Sequence, residues 1–478
     1  MRQKLLTMKY RIVLSAFLMF FVSMHCAGYE IYPIPQQIET KSAIVTVTPE
    51  VNLVIGEGVK EVSVTRIKEV LSQNGYAFTE SAEPGDDRTN ILVGENGSGD
   101  AADKFADDNT IGKSLFNAAE NRFDAHIVAV IPAHANGDIL LLGNGSGSEF
   151  YAMATLEQIF EQSGGNITEL IINDYAYTQY RGIVEGFYGH PYSMETRMEL
   201  MEFCKRYKLN TYVYGPKSDP YHLGSWRYDY PVTITESQRY MGKITQSDIT
   251  AICEKAAACN VNFVWSIHPG MSSGINFGST SSMDTGISEI MNKFAHMYSL
   301  GVRAFGVFID DMSYTPPGNM QAYLADQTQQ QLRSTYGDEV APLFFVPTAY
   351  ALNYGMSSTL YNLADVDEEV EIAFTGYDCF SNIRGSACTD MASRVGRNAI
   401  MWWNNPVNDD HDDRIYMRKL TTHWTIEDTY PIPSLGGLLL NPMNQGNASK
   451  VALFGGADYS WNPSAFDADG RDRGNCVL

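Results

Sequence analysis

The chain has 478 residues, too long for a single small module and long enough for two or three domains with real cores. Apolar residues make up 44% and charged residues 19%, a globular balance rather than a disordered, collagenous or coiled-coil one. Thirty-four basic against 56 acidic residues leave a net charge of −22, which argues against nucleic acid or an anionic membrane as partner.

Residues 1–27 read as a secretory signal. Arg2, Lys4, Lys9 and Arg11 precede an apolar run from Ile12 to Val22, and Ser23, His25, Cys26 and Ala27 follow it. Losing those four basic residues with the leader takes the net charge from −22 to −26. No other run of about 18 apolar residues exists, so no transmembrane span is expected. Cys26 is a candidate lipid anchor, although Ser23, Met24 and His25 fit a lipobox poorly. The expected location is exported: periplasmic, cell-surface or secreted, in a bacterium. Six cysteines remain (Cys204, Cys253, Cys259, Cys379, Cys388 and Cys476), too sparse for a disulfide scaffold; Cys379 with Cys388 is a candidate local bridge, with buried free thiols the alternative.

Residues 28–178 read as one α/β domain. Strands are expected at 43–47, 51–55 and 90–94, and a helix at 62–71. Residues 126–132 and 138–142 flank a turn and form a hairpin. An amphipathic helix at 149–162 and a strand at 170–172 close the unit. From residue 179 to 478 the pattern becomes short apolar strands alternating with helix-length connections. Eight strands are expected, at 181–188, 210–215, 262–268, 304–310, 343–347, 371–375, 399–403 and 436–440. Helical spacing marks 194–207, 248–258, 287–298 and 320–333. Eight near-continuously apolar strands with helical returns are the pattern of a (β/α)8 TIM-type barrel behind a smaller mixed-sheet α/β domain. A doubly wound open sheet is the alternative, but no GxGxxG or GxxxxGK[ST] loop follows a strand.

Barrel enzymes assemble their chemistry at strand C-termini, and these ends are polar and aromatic. Glu185 to Gly189 follow the first strand, Lys217, Asp219, Tyr221 and His222 the second, and His268 the third. Asp310 and Asp311 follow the fourth, Thr348 and Tyr350 the fifth, and Thr375 the sixth. Asn404 and Asp409 come after the seventh, and Asn441 after the eighth. Amides, carboxylates, one lysine and flat rings suit a sugar pocket, where hydroxyls need paired donors and acceptors and C–H faces need aromatic surface. The sharpest element is AFGVFIDDMS, Ala304 to Ser313. Adjacent carboxylates closing an apolar strand are expected to push at least one pKa up toward neutrality, as a general acid requires. Neighbours on a regular strand face opposite sides, so both reach one pocket only through an irregular turn. A random pair of aspartates is more often a solvated turn or a helix cap. NDDHDD, Asn408 to Asp413, reads as a solvated acidic loop rather than a metal site. His268 reads as a residue that orients a neighbour, Lys217 has a bland alternative as a chain lying over Tyr221, and of Trp402 and Trp403 only one can face the barrel interior.

These segments resemble a known family. RGIVEGFYGHPYS (181–193), KLNTYVYGPKSDPYH (208–222), FVWSIHPG (263–270), FGVFIDDMS, MWWNNPVND (401–409) and LLLNPM (438–443) are similar, in order, to the motifs of glycoside hydrolase family 84. Those β-N-acetylglucosaminidases include protein O-GlcNAcases and bacterial hyaluronidase-like enzymes, and the region before Tyr180 resembles their α/β domain. The resemblance implies a retaining, substrate-assisted exo-hydrolase of terminal β-linked GlcNAc on glycans or glycoproteins, working without a cofactor or metal through an oxazoline intermediate. Asp310 then orients the 2-acetamido group and Asp311 is acid and base, an exception to the two-carboxylate nucleophile scheme. Gly186, Lys217, Tyr350, Asn404, Asp409 and Asn441 match the sugar-binding positions, and Thr375 and Trp402 those lining the N-acetyl pocket. Three positions depart from the family pattern: Phe374 in FTGY, Ala349 after Thr348, and Asn444 after NPM. The chain ends soon after WNPSAF, which leaves the last barrel helix open. The competing readings are an endo-acting hyaluronidase and a catalytically silent glycan-binding protein.

Overall fold

The computed structural model describes residues 28–466 except 118–121, 146, 272–273, 356, 418–425 and 427–430. The leader at 1–27, Cys26 and Cys476 lie outside the described residues. The first layer is a seven-stranded mixed sheet of β1 (Gln37–Thr46), β2 (Glu50–Ile55), β3 (Ala77–Ser81), β4 (Asn90–Glu95), β5 (Phe123–Ile131), β6 (Asp138–Gly143) and β7 (Asn166–Ala176), in the order β1-β7-β5-β6-β4-β2-β3. Strict alternation sorts β6: Ile139 and Leu141 face helices α1 (Glu61–Gln73) and α3 (Glu149–Ser163), while Leu140 and Leu142 face α2 (Ala101–Asp108). The expected hairpin forms as the antiparallel β5–β6 pair. Two elements were not expected, β3 and α2. AFTES in β3 is mostly exposed at the sheet edge, so it lacks the apolar run that marks a buried strand.

The second layer is a closed parallel barrel of β8 (Tyr180–Glu185), β9 (Thr211–Tyr214), β10 (Asn262–Ile267), β11 (Ala304–Phe308), β12 (Phe344–Val346), β13 (Glu371–Phe374), β14 (Ala399–Trp403) and β15 (Leu435–Leu440). All eight expected strands are present, most a residue or more shorter at the C-terminal end, where the chain turns into its loops. The barrel interior is filled by Val184, Val213, Val264, Phe308, Phe344, Ile400, Trp402 and Leu439. Alternation along β14 sends Ile400 and Trp402 inward and Met401 and Trp403 outward, where the Trp403 indole donates to the Ser381 carbonyl at 2.9 Å. The outer helices are α4 (Met194–Arg206), the short α5 (Glu236–Tyr240), α6 (Gln246–Ala258), α7 (Thr280–Ser299), α8 (Gly318–Tyr336), α9 (Gly385–Val395) and α10 (Gly446–Trp461). Their starts are set locally: the Ser193 side chain accepts from the Thr196 N–H, and Thr245 and Asp248 form a capping box. A 3-10 segment, Ser357–Asp365, replaces an α-helix after β12. The last barrel helix, open from sequence, is present as α10 and is largely buried. Cys379 and Cys388 are thiols and form no bridge with each other, and Cys204, Cys253 and Cys259 are thiols too.

Sheet, barrel and α10 meet at a buried charged cluster. Asp174 of β7 accepts from the Lys208 ammonium and the Trp461 indole at 2.7 and 2.8 Å, and Lys208 stands 4.5 Å from the Trp461 ring centre. Arg181 of β8 pairs with Asp124 of β5 at 2.6 Å and caps the Thr178 and Lys208 carbonyls. Burial pulls the Lys208 ammonium down from its ordinary value, and Asp174 opposes that pull. Asp174→Ala leaves this lysine buried without its carboxylate, a change that costs about 3–5 kcal/mol. Urea denaturation should show that loss, and a loss below about 1 kcal/mol would mean that the cluster is replaceable packing.

Candidate active site

Strand β11 ends at Phe308, two residues before the aspartates. Asp311 then adopts φ +51°, the left-handed region that an L-residue occupies only when its surroundings demand it. This is the irregular turn that the paired carboxylates need. With it, both Asp310 and Asp311 line one cavity of about 170 Å³ at the C-terminal mouth of the barrel. Gly186, Lys217, Tyr350, Thr375, Trp402, Asn404, Asp409 and Asn441 line the same cavity, so the ten residues singled out from sequence come together.

Asp310 is buried, and its Oδ2 is paired with the Lys217 ammonium from the loop after β9. Lys217 is therefore a partner of the aspartate rather than a chain lying over Tyr221. His268, at the end of β10, stands on the same residue: its Nε2 donates to the Asp310 carbonyl at 2.5 Å and lies 3.5 Å from Oδ1. Oδ1 has no hydrogen-bond partner among the described residues, a buried carboxylate acceptor left unused. Burial pushes the Asp310 carboxyl up, but Lys217, with His268, outweighs it and holds the group down at about 2. The expectation of a raised value is thus reversed for Asp310. Neighbouring like charge and burial both argue for a raised value, and a cation from the loop after another strand decides the sign. His222 completes the surroundings; burial, reinforced by Lys217, lowers its imidazole to about 3 and keeps it neutral.

Asp311 is held differently. The Tyr350 hydroxyl donates to Oδ1 at 2.6 Å and the Tyr188 hydroxyl to Oδ2 at 3.1 Å, with Tyr354 donating in turn to Tyr350 at 3.1 Å. Tyr188 is 48% exposed and caps the outer side of the carboxylate. From sequence Tyr188 is one strand-end aromatic among several, and it is Gly186, two residues before it, that the family resemblance marks as sugar-binding. Its loop is fixed from two sides, by Asp409 accepting from the Tyr188 N–H at 2.8 Å and by the Asn444 amide donating to the Tyr188 carbonyl at 3.2 Å. A carboxylate at 444 has no proton to give to that carbonyl, so this departure from the family pattern has a visible consequence.

The floor is Trp402. Its indole donates to Asn404 Oδ1 at 3.0 Å, the Asn441 amide donates to the same oxygen at 2.9 Å, and Asn404 in turn donates to the Cys379 carbonyl at 2.8 Å. This chain of bonds orients the two amides and leaves Asn441 Oδ1 buried without a partner among the described residues. Gly186 is needed where it stands, since a Cβ there would lie 2.3 Å from the Trp402 ring. Thr375 is buried with its hydroxyl on the Asp378 carbonyl at 2.8 Å. Burial raises the Asp409 carboxyl above its ordinary value. Cys379, Phe380 and Val407 also line the cavity and carried no signal in the sequence. The arrangement presents one held-charged carboxylate with a free acceptor atom, a second carboxylate between hydroxyls, and a flat apolar floor.

Comparison with known proteins gives a consistent picture. A family model described as beta-N-acetylglucosaminidase matches residues 181–473, and the model of glycosyl hydrolase family 20, domain 2, matches 28–175. The solved structure of CpGH84D is 36% identical and superposes with a TM-score of 0.82 over 94% of this chain and 71% of that one. A mutant of the Thermobaculum terrenum O-GlcNAc hydrolase is 28% identical, with a TM-score of 0.53 over 62% of each chain. The protein O-GlcNAcase of Rattus norvegicus is 27% identical over 284 residues, 57% of this chain and 29% of its own. The chain thus spans under a third of the length of the curated relatives it matches.

Lys217→Met removes the cation and keeps the burial, so Asp310 should titrate above the ordinary carboxylate value instead of near 2. In the native protein the depressed value adds stability that is complete above the ordinary value of 3.8 and lost as pH falls through about 2. Carboxyl NMR titration reads the shift directly, and an Asp310 resonance that titrates as before would show that Lys217 is not what holds it down.

Proposed function

Because the chain belongs to the beta-N-acetylglucosaminidase family, we propose that it is a retaining exo-β-N-acetylglucosaminidase that removes terminal β-linked GlcNAc by substrate-assisted catalysis. The observation that carries this reading is the pairing of two unlike carboxylates on one cavity: Asp310, kept charged by Lys217 with Oδ1 unpartnered, and Asp311 on the open side. A 2-acetamido N–H is a donor that fits Oδ1. With that N–H held by a charged acceptor, the acetamido carbonyl oxygen gains nucleophilicity and attacks the anomeric carbon as the glycosidic C–O bond breaks. Asp311 gives its proton to the departing oxygen, and the positive charge of the oxazolinium-type ring develops next to Asp310. Asp311, now a base, takes a proton from water; the water oxygen adds to the same face of C1 and the acetamido carbonyl is released, with net retention.

The hydroxyls of Tyr350 and Tyr188 suit both states of Asp311, since a phenol donates to the carboxylate and accepts from the acid. Trp402 offers its face to the sugar, and Asn441 Oδ1 and Asp409 are acceptors for ring hydroxyls. The leader sequence makes export part of this proposal.

An aryl β-N-acetylglucosaminide should be cleaved while the same aryl β-glucoside, which lacks the 2-acetamido group, is not. Cleavage of both would replace the substrate's carbonyl with an enzyme nucleophile, and cleavage of neither with GlcNAc still bound would make this a binding protein. Asp311→Asn should slow substrates with poor leaving groups by about 100-fold or more, the usual worth of a positioned acid, and spare those with good ones. Equal losses on both would remove Asp311 from the acid role.

A further inference from the structure

The Tyr350 hydroxyl has a single proton, and that proton is committed to Asp311 Oδ1 at 2.6 Å. In the 3.1 Å bond between the two phenols Tyr354 is therefore the donor and Tyr350 the acceptor. Tyr354 is half-buried and is not among the residues that line the cavity, so its route to Asp311 runs through Tyr350. Burial pushes both hydroxyls above their ordinary value, and the bond to Asp311 adds to the rise at Tyr350, so both remain protonated phenols.

Backbone and packing place the two rings, independently of the bond between their hydroxyls. The loop after β12 runs beside the loop after β13: the Thr375 N–H donates to the Tyr350 carbonyl at 2.8 Å, the Leu352 N–H to the Gly376 carbonyl at 3.0 Å and the Asn353 N–H to the Tyr377 carbonyl at 2.8 Å. The Tyr354 ring meets Tyr350 edge-on, with centres 5.1 Å apart. Loss of one hydroxyl therefore leaves both rings in place. The other groups facing Asp311 are Tyr188 after β8, Asp310 with its partners Lys217 and His268, and Cys379 after β13, whose thiol is pushed up by burial and stays neutral. Asp409 stands behind Tyr188, on its N–H.

We propose that Tyr354 is a positioning residue that biases Asp311 toward its base state by fixing the direction of the Tyr350 proton. The proposal rests on the acid and base role given to Asp311 above. A phenol that already accepts one hydrogen bond donates more strongly, because each bond in a chain polarises the next. Tyr350 then favours the carboxylate over the carboxylic acid, since the charged form is the stronger acceptor of its proton. Asp311 has to release its proton to the departing oxygen and hold a negative charge until it takes a proton from water, and the bonded pair of phenols steadies it through that interval.

The test is the pH dependence of kcat/KM for Tyr354→Phe on two aryl β-N-acetylglucosaminides, one whose poor leaving group needs the acid and one whose good leaving group does not. With the poor leaving group, the alkaline limb, where the acid form of Asp311 is lost, should move up by about half a pH unit, and the plateau should fall by about twofold because the acid is weaker. The good leaving group should keep its native rate. In a Tyr350→Phe background the same substitution should shift nothing, because its path to Asp311 is gone. An alkaline limb that stays in place in Tyr354→Phe, or a shift that persists without the Tyr350 hydroxyl, would overturn the proposal. Equal losses on both substrates with an unmoved limb would reduce Tyr354 to packing and overturn it as well. A native enzyme that cleaves both aryl glycosides with no alkaline limb peculiar to the poor leaving group would instead overturn the acid role beneath it.

Discussion

A carboxylate buried at the mouth of a barrel stays charged only while a cation is held against it, and the pair formed by Asp310 and Lys217 meets that constraint. The two side chains come from loops after β11 and β9, with β10 between them in the barrel. Parallel closure of eight strands brings those loops together, and His268 at the end of the intervening strand holds the Asp310 backbone. The rest of the site depends on this pair. Its geometry leaves Oδ1 free as an acceptor, and its negative charge favours a positive centre developing beside it.

The molecule uses buried ion pairs in two ways. Asp174 with Lys208 is sealed between sheet, barrel and α10, both carboxylate oxygens of Asp174 are engaged, and its work is to join layers. Asp310 with Lys217 has similar chemistry but opens on a cavity and keeps one oxygen unpartnered. Burial and pairing alone therefore do not mark a functional group. What separates the two is an unused hydrogen-bonding atom facing a space that a ligand can enter.

Most of the architecture was legible because both sheets are built from apolar strands of the expected length, such as NILVG in β4 and AIMWW in β14. Strand β3 was not, since its exposed edge position requires no apolar face, and α2 was hidden in an acidic stretch whose buried residues are mainly Ala102, Phe105 and Ala106. The ten site residues were identifiable from strand-end position and family motifs together. Tyr188 was visible only as one aromatic among several, because its importance comes from where its hydroxyl ends, on Asp311, rather than from its own neighbours in the chain.

The barrel, the positions of its strands and the chemical types available at each strand end were all determined by the sequence itself, through the periodicity of apolar residues and the polar residues that interrupt it. Whether Asp310 and Asp311 share one cavity depended on the left-handed turn at Asp311, a backbone choice that no residue pattern before it requires. The charge of Asp310 was likewise decided only in three dimensions. Burial and adjacency of like charge point one way, and a lysine 93 positions earlier in the chain, brought alongside by barrel closure, turns the balance the other way. Through-space electrostatics depends on distance in the fold, and distance along the chain carries almost none of it.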